Sequence, residues 1–187
     1  MNTLVLAAAA EELGTLPGAV VGVGPIAAAT TAARIIAERR PKAVILIGTA
    51  GAYVGGPAIG TVIASETLGW SYGVAAMGLG YVPRPPQPIR GAASLLDQLD
   101  LPRHAVLTTG AVTTDPTLAD RLSDGFSVEH LEAYSVAMAC HDVGIPFVAI
   151  LGIANVVGPG AHVEWLAHRD EAQDAAREAA RTLVEAG

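Results

Sequence analysis

Cysteine, aromatic residues and basic charge are all scarce in this chain of 187 residues. The single cysteine, Cys140, has no partner for an intrachain disulfide, so we expect a reduced, cytoplasmic setting. Eleven Lys and Arg residues stand against 18 Asp and Glu residues, which gives a formal net charge of −7. Nucleic acids and anionic membranes are bound through clusters of basic side chains, so neither is expected as a partner.

Long apolar runs are also missing. None reaches the roughly 18 to 20 residues that a bilayer span needs, and we expect a soluble protein. The apolar residues 4–10 follow no basic segment and run into two glutamates, so we interpret them as a first strand and not as a signal peptide. Apolar residues make up 51% of the chain and aromatic residues 4%, which favours tightly packed α/β layers in one domain over residues 1–187.

Several motifs that would assign a chemistry are absent from the sequence. There is no Walker A motif, no Gly-x-Ser-x-Gly elbow and no His and Cys pair with zinc-like spacing, so no metal or cofactor is predicted. Residues 22–27 match a loose dinucleotide fingerprint, but the next strand ends at Gly51 without the acid that binds ribose in NAD enzymes. The histidines are scattered and are interpreted as surface or packing residues: His104, His130, His141, His162 and His168.

Short apolar runs and helical segments alternate along the chain. Strands are predicted at residues 4–8, 19–23, 43–47, 61–66, 104–109 and 147–153, and helices at residues 26–39, 117–122, 133–143 and from about 165 or 169 to 183. This alternation predicts an α/β fold. Residues 81–88 hold four prolines and are predicted to form a rigid loop near the ligand crevice.

The segment from Val128 to Asn155 carries an acid at a predicted helix start, Glu132, and an amide at the end of the next strand. If the two strands flanking this helix are parallel, both finish at one sheet edge, where α/β sheets bind ligands. The alternatives are an ordinary first-turn acid and a turn-forming Asn. Further polar groups at predicted strand ends fit a nucleoside pocket: Glu11 or Glu12, Thr49 and residues 108–114.

Ordered segments of the chain resemble nucleoside phosphorylases and nucleosidases of the purine nucleoside phosphorylase superfamily. They are residues 10–13, 22–29, 48–51, 131–133, 145–148 and 153–155. The resemblance implies that superfamily's single α/β domain, with a central mixed, largely parallel sheet flanked by helices, and a homodimer or dimer of dimers. Residues 66–74 and 155–165 look most like futalosine hydrolases of a menaquinone route.

The resemblance also implies roles for particular residues. Glu12 matches the acid that activates the attacking water, although Glu11 is adjacent, and Glu132 matches the acid that binds the ribose 2′ and 3′ hydroxyls. The remaining substrate contacts that it implies are Leu131 against the sugar, Thr49, Gly51, and Thr113 or its neighbours. The implied partner is a small purine nucleoside.

Asn155 points to the base that leaves. Adenine-specific nucleosidases carry an aspartate here that protonates the purine N7, and Asn cannot act as a general acid. An amide can donate to N7 and to a 6-oxo group, and the 6-oxopurine enzymes of the family use Asn. The resemblance thus implies hydrolysis of futalosine to hypoxanthine and dehypoxanthine futalosine. The alternatives are a methylthioadenosine/adenosylhomocysteine-type adenine nucleosidase, a purine nucleoside phosphorylase and a non-catalytic nucleoside-binding protein.

Two positions depart from the family patterns. Phosphorylases of the superfamily carry an arginine where this sequence has Leu46, which favours water over phosphate as the nucleophile. Family members also place a hairpin between the first acid and the glycine turn, whereas only residues 13–18 separate Glu12 from the next predicted strand. An early hairpin is therefore expected to be missing.

Overall fold

Eight strands and seven helices lie along residues 2–185, the part of the chain that the computed structural model describes, and they alternate except that β4 follows β3 directly. The strands are β1 (Thr3–Ala7), β2 (Ala19–Val20), β3 (Ala43–Ala52), β4 (Val62–Trp70), β5 (Ile89–Arg90), β6 (Arg103–Thr108), β7 (Val128–His130) and β8 (Phe147–Val156). The helices are α1 (Ala10–Leu13), α2 (Pro25–Arg39), α3 (Gly73–Ala76), α4 (Ala93–Leu96), α5 (Pro116–Leu122), α6 (Ala133–His141) and α7 (Ala161–Glu185). The predicted strands and helices are all present; β3, β4, β8 and α7 extend beyond their predicted bounds, whereas β2 and α6 end before theirs.

Strand β3 is the centre of a mixed sheet. It pairs in parallel with β8 along one edge, and along the other edge with β1 in parallel and then with β7 in antiparallel orientation. Strand β4 joins β8 to β6, and β6 joins β7, so β3, β8, β4, β6 and β7 close into a barrel. Strands β2 and β5 extend the sheet at β1 and β4. The predicted α/β domain with a mixed, largely parallel sheet is confirmed.

The sequence left open whether the strands before and after α6 are parallel. Strands β7 and β8 are not parallel to each other, because β8 runs parallel to β3 whereas the three residues of β7 run antiparallel to it. The two segments still meet at the carboxyl end of β3, since Gly51 pairs with Glu129 of β7 and with Asn155 of β8. Closure of the barrel therefore brings β7 and the end of β8 together at the carboxyl end of β3.

Helices cover the sheet on two sides. Helices α2 and α6 pack together over one apolar cluster, which contains the buried Cys140, and α1, α4 and α7 cover a second cluster. Helix α7 lies so close to β8 that a Cβ at Gly152 would stand 2.2 Å from the carbonyl oxygen of Ala172. No helix within residues 2–185 has both the length and the apolarity that a membrane crossing needs.

The N-terminal connection is short. Only α1 and a turn lie between β1 and β2, so no hairpin separates Glu12 from β2. Residues 81–88 are irregular, as predicted, and Tyr134 on α6 donates from its hydroxyl to the carbonyl oxygen of Gln87 at 2.9 Å. None of residues 81–88 lines the cavity described below, and their expected place near the crevice stays a prediction.

Candidate active site

The site lies where strand β3 changes neighbours along one edge. Strand β1 pairs with β3 as far as Ile47, and β7 begins to pair with it at Gly51. Residues 48–50 face no strand on that edge, and the sheet opens there into a cavity of about 680 Å³. A change of neighbours at the carboxyl ends of strands is where α/β sheets bind ligands. The polar side chains that line the cavity include Glu11, Glu12, Thr49, Glu129, His130, Glu132 and Asn155.

Glu12 lies on the β1 side of this opening. Its Oε2 atom accepts the N–H groups of Ala8 at 2.9 Å and Ala9 at 3.2 Å, and its Oε1 atom accepts the N–H of Thr49 at 3.3 Å. Burial raises the pKa of this carboxyl above its ordinary value, although the N–H groups of Ala9 and Thr49 oppose the shift. Its neighbour Glu11 is exposed. Glu12 is thus the buried carboxylate of the pair that backbone N–H groups hold in place.

Glu132 lies at the start of helix α6, and its carboxylate is anchored by the glycine turn. Its Oε1 atom accepts the N–H of Gly24 at 2.7 Å, and the residue is 4% exposed. Burial raises the pKa of Glu132 to about 6, while the backbone N–H groups act in the opposite direction. The turn at residues 22–27, which matches the loose dinucleotide fingerprint, therefore binds a carboxylate of the protein itself through the N–H of Gly24.

His130 is buried in the wall between these two acids, on strand β7. Its Nδ1 atom accepts the N–H groups of Glu132 at 3.0 Å and Ala133 at 3.1 Å, which begin helix α6. Burial lowers the pKa of His130 to about 4, so the ring is neutral at neutral pH. The Oε2 atom of Glu132 lies 3.2 Å from Nδ1, but an unprotonated nitrogen forms no ion pair with it.

Asn155 reaches the cavity through a bulge. Ala50 pairs with Ile153 and Gly51 pairs with Asn155, so Ala154 is an extra residue that changes the register between β3 and β8. The Nδ2 atom of Asn155 donates to the carbonyl oxygen of Val156 at 3.1 Å, and the side chain is largely buried. One amide hydrogen and the Oδ1 atom remain for a ligand.

Glu129 is the centre of a separate buried network at the same end of the cavity. It accepts the N–H of Thr113 at 2.9 Å, the hydroxyl of Thr113 at 2.6 Å and the hydroxyl of Tyr53 at 3.0 Å. Thr113 itself does not line the cavity, whereas Val112 and Thr114 on either side of it do. Thr113 therefore positions the loop and Glu129, and its neighbours are the residues that face the cavity.

Helix α7 supplies the opposite wall. Trp165 donates from Nε1 to the hydroxyl of Thr49 at 3.0 Å, which fixes the indole beside the opening in β3. His162 stacks on this indole with ring centroids 6.0 Å apart, and the guanidinium of Arg169 lies 5.0 Å from the indole centroid. Arg169 is also paired with Asp170 at 3.3 Å. This wall is planar and aromatic. Its arginine, Arg169, already interacts with the Trp165 indole and with Asp170.

Most of the residues that the sequence assigned to a site meet in this cavity. They are Glu12, Thr49, Gly51, Leu131, Glu132 and Asn155, whereas Thr113 lies behind the wall. Sequence reasoning missed His130 and Trp165. A lone histidine or tryptophan has no spacing pattern that marks it as a site residue. His130 is recognised by its place beside Glu132, and Trp165 by its place on the cavity side of α7.

The chain is similar to known nucleosidases in sequence and in structure. It is 27% identical over 174 residues to the 5′-methylthioadenosine/S-adenosylhomocysteine nucleosidase of Anoxybacillus flavithermus, covering 81% of this chain and 75% of that protein. Its fold matches a nucleosidase of the same name from Colwellia psychrerythraea, in complex with adenine, with a TM-score of 0.86, 16% identity and coverage of 99% and 95%. It also matches a mutant of Helicobacter pylori futalosine hydrolase, with a TM-score of 0.87, 17% identity and 99% coverage of both chains.

These relatives refine the predictions made from the sequence. They are nucleosidases, which are N-glycosidase hydrolases, and the predicted enzyme class is confirmed. The relatives in sequence carry the methylthioadenosine/adenosylhomocysteine name, and the likeness to futalosine hydrolase is one of fold alone. The family model described as the phosphorylase superfamily matches residues 14–186. This chain belongs to the phosphorylase superfamily.

Proposed function

We propose that this enzyme hydrolyses the N-glycosidic bond of a purine nucleoside. The observation that carries the proposal is the meeting of Glu12, Glu132 and Asn155 in one cavity at the end of β3. They supply a base for water, an acceptor for ribose hydroxyls and an amide for the leaving purine. The adenine in the Colwellia psychrerythraea nucleosidase supports a purine as the ligand class.

The reaction follows from these groups. Glu12 takes a proton from water as the water oxygen bonds to C1′ of the ribose, and the C1′–N9 bond breaks with its electron pair passing to the base. The departing purine anion takes a proton from solvent, and Glu12 releases its proton to solvent. The sugar becomes oxocarbenium-like on the way, as in glycoside hydrolysis. Glu132, ionised above about pH 6, accepts hydrogen bonds from two ribose hydroxyls and opposes the positive charge on the sugar.

Water is the nucleophile on this proposal because the site offers little to a phosphate dianion. Leu46 is fully buried and points into the core, and the N–H of Gly24 is taken by Glu132. The first N–H groups of α6 are taken by His130 and by the hydroxyl of Thr108. Charge-assisted donors are what bind phosphate, and the cavity acids would repel it.

The 6-oxopurines are the favoured substrates, with futalosine the finer proposal. Asn155 cannot give a proton to N7, but its free N–H can donate to N7 or to a 6-oxo oxygen as charge builds on the ring. A 6-oxopurine is the better leaving group for an amide because it carries developing negative charge on an oxygen as well as on nitrogen.

A second candidate is an adenine nucleosidase of the methylthioadenosine/adenosylhomocysteine type. The observation that favours it is the name of the relatives in sequence, at 27% identity. In this case the amide oxygen of Asn155 would accept from the 6-amino group, and N7 would take its proton from water. The two candidates differ in the base that is released.

One assay separates them. Pure protein is incubated with futalosine, inosine and methylthioadenosine, with and without phosphate, and the released base and sugar are identified by chromatography. Hypoxanthine with free sugar supports the 6-oxopurine proposal, and adenine alone supports the second candidate. Ribose 1-phosphate would make the enzyme a phosphorylase, and binding without turnover would make it a nucleoside-binding protein. A cytoplasmic setting and a homodimer or dimer of dimers stay predictions.

A further inference from the structure

His130 occupies a place in the site for which the proposed reaction has no role so far. The unpaired residues 48–50 of β3 form the floor of the opening, with Glu12 on the β1 side and His130 on the β7 side. His130 is buried, with 4% of its side chain exposed, and it also lines the cavity. A buried imidazole facing the general base across such a gap is in contact with whatever fills the gap.

The hydrogen bonds of His130 fix its tautomer. The Nδ1 atom accepts two backbone N–H groups, at 3.0 Å and 3.1 Å, so it carries no proton. A neutral imidazole must then carry its proton on Nε2. His130 cannot serve as a base through Nδ1, because that lone pair is occupied. It is a donor through Nε2.

This donor belongs to a residue that lines the cavity. Among residues 2–185 no hydrogen bond from Nε2 is present, and Nε2 is not enclosed by protein atoms as the buried unpaired polar atoms are. Polar groups in buried sites are almost always hydrogen-bonded, so Nε2–H requires an acceptor from a water or a ligand. The Glu12 carboxylate acts on the His130 ring from nearby, because its charge opposes the burial that lowers the pKa of His130.

We propose that His130 is a catalytic residue whose Nε2–H donates a hydrogen bond to the water that Glu12 deprotonates. The inference rests on the proposed hydrolysis. A water oxygen has two hydrogens and two lone pairs. One hydrogen goes to Glu12, one lone pair accepts from Nε2, and the remaining lone pair is left facing C1′. The water is thereby oriented as well as activated, and the histidine itself neither gains nor loses a proton in the step.

The opposing explanation is that His130 only caps helix α6. Its Nδ1 acceptor satisfies two free N–H groups at the helix start and holds the backbone of Glu132, which is a sufficient structural role by itself. The two roles belong to the two ring nitrogens. They can therefore be separated by substitutions that imitate one nitrogen at a time.

The test compares His130→Asn with His130→Gln. The Oδ1 atom of Asn can replace Nδ1 as the acceptor for the helix start but leaves nothing at Nε2, whereas the Gln amide reaches toward Nε2 and leaves the helix start uncapped. For each variant kcat, KM, Tm and the affinity for a ribose-bearing nucleoside inhibitor are measured. We expect His130→Asn to keep its Tm, inhibitor affinity and pH profile and to lose about 10- to 100-fold in kcat. We expect His130→Gln to lower Tm and to raise KM.

The outcomes are decisive in both directions. If His130→Asn keeps the wild-type kcat, the histidine is only a cap and the inference is wrong. If the wild-type protein cleaves no nucleoside, the proposed function fails first, and that result does not depend on any variant. Nitrogen NMR of ¹⁵N-histidine-labelled wild-type protein adds a measurement that needs no variant to fold. The His130 ring must show an unprotonated Nδ1 and a protonated Nε2, and the reverse tautomer overturns the inference.

Discussion

At the scale of single residues, two adjacent glutamates differ in burial, and the buried one is the base that we propose. Glu12 is held by three backbone N–H groups and has a raised pKa, whereas Glu11 is exposed at the rim of the same cavity. We expect Glu12→Gln to lower kcat about 10²- to 10⁴-fold with little change in inhibitor affinity, because Gln keeps the shape and loses the base. The matched control Glu11→Gln should keep most of its activity. If Glu11→Gln is the inactive variant, the assignment of the base is reversed.

Asn155 is the residue that separates the two candidate substrates. Replacement by Asp adds a group that can be protonated and can then give a proton to N7. We expect Asn155→Asp to raise the ratio of methylthioadenosine to futalosine cleavage by at least about tenfold, because Asp no longer donates to a 6-oxo group when ionised. Initial rates on both substrates, measured side by side, give this ratio. A variant with an unchanged ratio would show that Asn155 does not choose the base.

The place of a residue in the cavity could be predicted from the sequence where a motif surrounds that residue. It could not be predicted where the residue is recognised only by its burial and hydrogen bonds. The segments around Glu12, Glu132 and Asn155 pointed to the cavity that now contains all three. The sequence indicates only a surface or packing residue at His130, because a lone histidine has no spacing signal, and its hydrogen bonds to the start of α6 show what its ring does. Whether these residues have the catalytic roles proposed stays a prediction for the assays above.

At the scale of secondary-structure elements, Gly48 near the carboxyl end of β3 leaves room for the Glu12 carboxylate, which lies against it. A Cβ at Gly48 would stand 2.8 Å from Oε1 of Glu12. The carboxylate is the mobile end of a side chain, so Gly48→Ala should leave Tm close to wild type. The displaced base should nevertheless cost about tenfold or more in kcat, because displacements near 1 Å are expensive in catalysis.

The matched control for Gly48→Ala is Gly110→Ala. Gly110 is exposed, and a Cβ there would meet nothing within 4 Å. Both substitutions add one methyl group to the chain, so a difference in kcat between them reports on Glu12. Equal activities would mean that the Glu12 carboxylate need not occupy its observed place.

Elements were predictable where they have a local pattern, and their pairing was not. The apolar run that became β3 and the helical periodicity of α2 are visible in the sequence, and both elements begin within one residue of their predicted start. The antiparallel joining of β7 to the end of β3 depends on barrel closure, which pairs Gly51 with Glu129 and Ala52 with Val128, residues far apart in the sequence. No local signal in three residues of strand encodes that orientation.

At the scale of the whole molecule, closing the sheet gathers acidic side chains around one cavity, and this gives activity a pH dependence. Glu132 must be ionised to accept two ribose hydroxyls, and burial raises its pKa to about 6. The pKa of Glu12 is raised as well. We therefore expect kcat/KM to fall as pH decreases through about 6, since each acid loses its function when protonated. A profile that is flat down to pH 4.5 would contradict the assigned roles.

The same shift makes the stability of the fold depend on pH with the opposite sign. A carboxyl whose pKa is raised from an ordinary value of 4.5 to about 6 on folding stabilises the folded state below about pH 4.5, and this contribution is lost as pH rises through 6. The difference is about 2 kcal/mol, because one pKa unit corresponds to about 1.4 kcal/mol. Glu132→Gln removes this titration, while its amide oxygen can still accept the N–H of Gly24.

We therefore expect Glu132→Gln to gain stability relative to wild type as pH rises from 4.5 to 8, by up to about 2 kcal/mol in the free energy of unfolding. Urea unfolding of both proteins at pH 4.5, 6 and 8 measures this difference. Glu11→Gln removes the same formal charge at an exposed position, so its difference from wild type should change much less over that range. A Glu132→Gln variant that loses stability with rising pH would show that the Glu132 carboxylate is stabilised by its surroundings. The same variant should be nearly inactive at every pH, because a neutral amide binds the ribose hydroxyls more weakly than a carboxylate does.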